Sequence, residues 1–139
     1  MQIPWVILEH HQLVTLAVDV MFVNGVPFLV NVDRCLHLVT AEFTPSRTAK
    51  QLAAGITRMI DLYARGGFLV GTVLMDNQFE MLQNLVPILA INTTAAKEHV
   101  PEVKCKIRLN KERGRGILNT LPCKKMLRLM LIELVYHVV

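Results

Sequence analysis

Leu13-Val14-Thr15-Leu16-Ala17-Val18-Asp19-Val20-Met21-Phe22-Val23, followed at once by Asn24-Gly25, decides how the rest of the chain is read. The run is rich in Val and Leu with Thr, the composition of a strand. Asn-Gly supplies the positive φ angles of a tight hairpin turn. Phe28-Leu29-Val30-Asn31-Val32-Asp33 is the return strand, and Leu36-His37-Leu38-Val39-Thr40-Ala41-Glu42-Phe43 adds a third, giving an antiparallel meander. Asp19 sits inside the first strand, where a carboxylate is costly to desolvate unless it is paired, so a divalent cation is an attractive partner.

Beyond Thr44-Pro45-Ser46-Arg47-Thr48 the apolar period changes from two to three and four. Ser46 or Thr48 can N-cap a helix carrying Leu52, Ala53, Ile56, Met59, Ile60 and Tyr63 on one face, and Gly66-Gly67 ends it after Arg65. Residues 68–75 form the next strand, and Asp76 stands at its C-terminal end. A helix between two strands of one sheet makes a right-handed parallel crossover, so strands 13–23 and 68–75 are expected side by side, bringing Asp19 and Asp76 together. A short helix near Gln78 to Leu85, a strand Ile88 to Asn92 and a loop Thr93 to Val100 follow. Pro101 opens a helix with Glu102 in its first turn, running to about Leu118 with Gly114 and Gly116 weakening its end, and Pro122 opens a last apolar helix.

At 139 residues the chain suits one domain. Its apolar fraction of 53% and mean hydropathy of +0.40 are high. The final run Met126 to Val139 has no cap or polar stop, which reads as a domain truncated at its C-terminus. Arg128 and Glu133 interrupt that run, and it is shorter than the roughly 20 apolar residues of a membrane span, so no membrane association is expected. Met1-Gln2-Ile3-Pro4-Trp5 has no charged region or cleavage site of a secretory signal, which points to an intracellular location. Cys35, Cys105 and Cys123 lack metal-site or disulfide spacing and read as buried or incidental thiols.

The net charge of +4 is unevenly spread. Lys104, Lys106, Arg108, Lys111, Arg113, Arg115, Lys124, Lys125 and Arg128 face the single acid Glu112, whereas Glu9, Asp19, Asp33 and Glu42 face Arg34 alone before residue 45. The basic stretch is a candidate phosphate-binding face, with Lys104, Arg108, Lys111 and Arg115 as its contacts, and the acidic part a candidate metal site. A solvated helix face is the plain alternative. His10-His11, as neighbours in an extended chain, point opposite ways and make a poor metal pair. Tyr63 and Phe79 read as core, His99 as a loop residue, and Ser46 has no His/Asp arrangement for nucleophilic chemistry.

Several segments in order carry a family resemblance: Val18-Asp19-Val20-Met21-Phe22-Val23-Asn24, Thr44-Pro45-Ser46-Arg47-Thr48-Ala49, Leu62-Tyr63-Ala64-Arg65-Gly66-Gly67-Phe68, Leu74-Met75-Asp76 and Glu98-His99-Val100-Pro101-Glu102. With Ile107-Arg108 and Lys111-Glu112-Arg113, they resemble the integrase core of copia-type retrotransposons, in particular the divergent copia-like elements of algal genomes, from about Leu16 onward. The resemblance implies a single RNase H-like domain over 1–139, an α/β fold with three antiparallel strands followed by parallel strands in a mixed five-stranded sheet flanked by helices. It implies a polynucleotidyl transferase acting on DNA, in which three carboxylates hold two Mg2+ or Mn2+ ions for an in-line displacement at phosphorus. DNA is then the partner, a homo-oligomer a further expectation, and the nucleus the place of work.

Asp19 and Asp76 match the first two carboxylates of that pattern. The third has two candidates. Glu112 follows Asp76 after 35 intervening residues, a spacing familiar from many integrases, but lies nearly three turns into the helix. Aligned by motif, the catalytic glutamate falls where this chain has Lys104, leaving Glu102 as the nearest carboxylate, about 200° away around the helix. A lysine there repels metal ions. The two function classes are therefore a metal-dependent strand transferase and a non-catalytic nucleic-acid-binding or interaction module derived from a transposon relic.

Overall fold

A computed structural model of the protein describes residues 3–82, 84–86, 90–92, 101–122 and 125–139. Its centre is β1 (Leu13–Val23), which turns through Asn24 and Gly25, both at positive φ (48° and 78°), into β2 (Val26–Asp33). The pair is antiparallel, with Asp19 opposite Val30. β3 (Val39–Phe43) continues the meander against β2. It starts three residues later than the alternating pattern predicts. The Asp33 carboxylate accepts the backbone N–H groups of Cys35 and Leu36, and His37 adopts a φ of 55°, so a side-chain-closed turn takes residues that would otherwise pair.

Helix α2 (Ala49–Arg65) crosses over to β4 (Leu69–Leu74), which lies parallel to β1 as expected. Gly66 and Gly67 donate to the carbonyls of Tyr63 and Ala64 and end the helix, Gly67 at a φ of 87°. Thr48 occupies the N-cap position without a side-chain cap bond, its hydroxyl paired with that of Ser46. The sheet order is β3-β2-β1-β4-β5. Four strands lie wholly within the described residues; β5, parallel to β4, is described over Ala90–Asn92, and the remainder of the expected fifth strand lies outside the described residues.

The predicted short helix is a 3-10 turn over Asn77–Leu82. Helix α3 runs over Pro101–Thr120, through both glycines. The last helix begins at Arg128, not Pro122, and ends at Val138. Leu127 before it is extended, and the helix starts where Leu131, Val135 and Val138, spaced by four and three, bury one stripe. An unexpected N-terminal helix, Trp5–His11, is α1, and the last helix, Arg128–Val138, is α4. His10 and His11 thus lie in a helix and not an extended segment, and Trp5 is 74% exposed.

Alternation along the strands sorts the core into two layers. Val14, Leu16, Val18 and Leu29 pack with Leu52, Ile56, Met59 and Tyr63 of α2, together with Val73, Met75 and Phe79. Ala17, Met21, Phe28, Val30 and Val32 pack on the other face with Val103 of α3 and Val135 of α4. Tyr63 and Phe79 are core residues, as read. Cys35 and Cys105 are free and exposed, which removes burial as their explanation; Cys123 lies outside the described residues.

Candidate metal and nucleic-acid site

Asp19 follows Ala17 by two residues on β1, and strand alternation turns it to the face that carries Ala17, Met21 and α3. Its level relative to β4 is set by an irregularity. Leu13 pairs with Leu69 and Val14 with Val70, but Thr15 pairs with Thr72, so Gly71 is the extra residue of a bulge. Beyond it Ala17 is level with Leu74, and continuing two residues along each strand brings Asp19 level with Asp76. Without that extra residue Asp19 would meet position 75, whose methionine is buried against α2. Gly71 fits because the Leu13 side chain lies over it, 2.8 Å from where a Cβ would stand. The sequence pattern alone did not single this glycine out; an isolated Gly within a strand is the signal that could have.

Asp76 acts on Asp19 through charge. Burial raises the Asp19 pKa above its ordinary value, the Val20 N–H donated to Oδ1 at 2.8 Å lowers it, Lys104 lowers it, Asp76 raises it, and Lys111 lowers it. The desolvation effect leads, so the net shift is upward. Asp76 itself is exposed, and its carbonyl accepts the Phe79 N–H that begins the 3-10 turn.

The helix geometry arranges the cations. At about 100° per residue, Lys104, Arg108, Lys111 and Arg115 fall within roughly 60° of one another, a stripe beside buried Val103 and Asn110 and partly buried Ile107. Lys104 and Lys111 at one end of that stripe reach Asp19 electrostatically. Glu112 lies on the far edge of the stripe, two turns beyond Lys104. Its side chain is 62% exposed, its carboxylate is 3.9 Å from Arg108, and it is not among the groups acting on Asp19. Glu102 is in the first turn of α3, its side chain outside the described residues, as is His99.

A two-metal centre needs more than this donor set. Among the described residues no three His, Cys, Asp or Glu side chains stand together so as to hold a metal ion. Asp76 and the Lys104 ammonium of α3 both act on Asp19 through charge. These described side chains do not fit a pair of divalent ions, and no step through a metal is derived from them.

Compared with known proteins, the fold is similar to the catalytic core domain of BIV integrase, with a TM-score of 0.56 and 20% identity over 87% of this chain and 80% of that one. That likeness establishes an integrase-core-like α/β fold, a mixed sheet flanked by helices. No family model and no curated protein sequence matches the chain. Among the described residues no helix is long and apolar enough to cross a membrane.

Proposed function

We propose that this chain is an integrase-like domain that binds DNA through the cationic stripe of α3, and that Lys104 stands in for a metal ion beside Asp19. The observation carrying this reading is that Lys104 acts on Asp19 from α3, the helix that packs on β1 and β2. An ammonium there offsets the aspartate's charge as a cation would, and repels divalent ions. Arg108, Lys111 and Arg115 continue the stripe as phosphate contacts, which fix a strand's position without reading its sequence. The copia-type resemblance supplies a retrotransposon origin, and DNA as the partner assigns the work to the nucleus.

Calorimetric titration with Mg2+ and Mn2+ tests it. The unmodified chain should give no resolvable binding, and Lys104→Glu should create a site that Asp76→Asn removes. Binding by the unmodified chain that Asp76→Asn abolishes would overturn the proposal.

The matched level of Asp19 and Asp76 favours a second reading: a polynucleotidyl transferase using Mg2+ or Mn2+ with these two residues and Glu102 or Glu112. It requires manganese-dependent DNA cleavage by the unmodified chain. Loss of that cleavage in Glu112→Gln would assign the third ligand by spacing. Cleavage gained only in Lys104→Glu would return the argument to position 104.

A further inference from the structure

Between the tip of the β1–β2 hairpin and the helices α3 and α4 lies a cavity of about 110 Å³. Met21, Leu118, Leu134 and Val138 supply apolar walls. Asn110 also lines it, is only 3% exposed, and has a side-chain Nδ2 that meets no acceptor among the described residues. Lys111 and Arg115 complete the lining with two cations.

These three features ask for one kind of occupant. Apolar walls suit the faces of a flat ring, an amide donor without an acceptor suits a ring carbonyl, and two cations suit an attached anion. Size narrows it further: about 110 Å³ is less than the roughly 150 Å³ of an engineered apolar cavity that takes benzene, which excludes two rings, and because the cavity is open on one side a single ring enters it with part of its edge outside. A pyrimidine with its phosphate meets all three demands.

We propose that this cavity accepts an unpaired pyrimidine base of a DNA strand whose phosphates lie against Lys111 and Arg115. The proposal rests on the DNA-binding reading above and names the form of substrate that the stripe would hold. Gly114 leaves the room: it is buried, it lines the cavity, and a Cβ added there meets nothing within 4 Å. Glycine costs helix stability in an interior turn, so an open space beside it is a use for an otherwise unfavourable residue. Gly114 is ten residues from Lys104, about 15 Å along α3, so the base is held beside Lys111 and Arg115, away from the Lys104 end of the stripe.

Fluorescence anisotropy at fixed salt with three hexamers of equal charge, oligothymidylate, oligodeoxyadenylate and an abasic strand, tests the proposal on the full chain. The unmodified protein should bind the thymidylate hexamer about tenfold more tightly than the abasic one, the scale of a single stacked base, with the adenylate close to abasic. Gly114→Leu fills the cavity with a better helix former and leaves both cations, so it should abolish the thymidylate preference while the dependence on salt is unchanged and the Tm is not lowered. Asn110→Leu, close in shape, removes a buried donor that has no acceptor and should also reduce the preference. Equal affinity of the unmodified protein for thymidylate and abasic strands, or a preference that survives in Gly114→Leu, would overturn the base pocket and leave the phosphate stripe standing. Failure to bind any hexamer at low salt would remove the DNA-binding reading and the pocket with it.

Discussion

Helix α2 and the pair α3 and α4 cover opposite faces of one sheet, yet only α2 does so with an unbroken apolar stripe. Leu52, Ile56, Met59 and Tyr63 are all buried, and they meet Val14, Leu16, Val18 and Leu29 in a continuous layer. On the other face α3 buries Val103 and the polar Asn110, while α4 leaves Leu129 77% exposed and Met130 half exposed. The closely packed face carries most of the apolar core. The thinly packed face leaves space for a carboxylate, a row of cations and a cavity. Local consistency on one side and its relaxation on the other is the expected division between scaffold and site.

The largest expected effect tests the scaffold side. Ile56→Ala removes a fully buried branched side chain and should cost about 3 kcal/mol in urea unfolding. Leu129→Ala on α4 should stay within about 0.5 kcal/mol, as for an exposed position. A Leu129→Ala loss as large as that of Ile56→Ala would mean that α4 is covered in solution and that the two faces are equally packed.

Charge gives the next contrast. If the stripe on α3 contacts phosphate, Lys111→Gln combined with Arg115→Gln should flatten the slope of log affinity against log salt by roughly 2 units. Arg58→Gln, which breaks a pair with Glu42 on the α2 face, should leave that slope alone. Equal changes from both would make DNA binding a matter of net charge and erase the difference between the faces.

The same division governs what was legible in the sequence. β1, its Asn24-Gly25 turn, α2 and the crossover to β4 follow from periodicity and turn chemistry, because each of those residues does what its type prefers. The start of β3 was obscured because Asp33 captures the Cys35 and Leu36 N–H groups, a local bond that competes with pairing. The helix Trp5–His11 buries none of its residues and so leaves no apolar stripe to read. At the site, Asp19, Asp76 and the cations were visible as residue types, and the parallel pairing that joins the aspartates follows from the crossover. The Gly71 bulge, which sets their shared level, and the Asn110–Gly114 cavity were not, since neither has a period or a motif. Buried Asn31, whose Oδ1 accepts the Tyr63 hydroxyl at 3.3 Å, was likewise hidden within an apolar run.

The smallest expected effect separates two carboxylates, Asp33 and Asp19, that lie on opposite faces of the sheet. Asp33, fully buried on the α2 face, is used structurally, accepting two backbone N–H groups of its turn. Asp19 is different: burial, joined by the charge of Asp76, outweighs the Val20 N–H and the two lysines and raises its pKa from 3.8. A carboxyl whose folded pKa is raised binds its proton more tightly in the fold than in the unfolded chain. Its favourable contribution is full below about pH 3.8, where both states are protonated, and is lost as pH rises through the raised folded value. At pH 7 the ionised Asp19 therefore costs stability, and Asp19→Asn should raise the Tm there, with the gain shrinking as the pH is lowered toward 3. Removing the Lys104 charge takes away part of the compensation, so the gain from Asp19→Asn should be larger in a Lys104→Gln background. If Asp19→Asn instead lowers the Tm at pH 7, the lysines hold Asp19 as a paired anion, and this face of the sheet spends its open space on an ion pair that stabilises the fold.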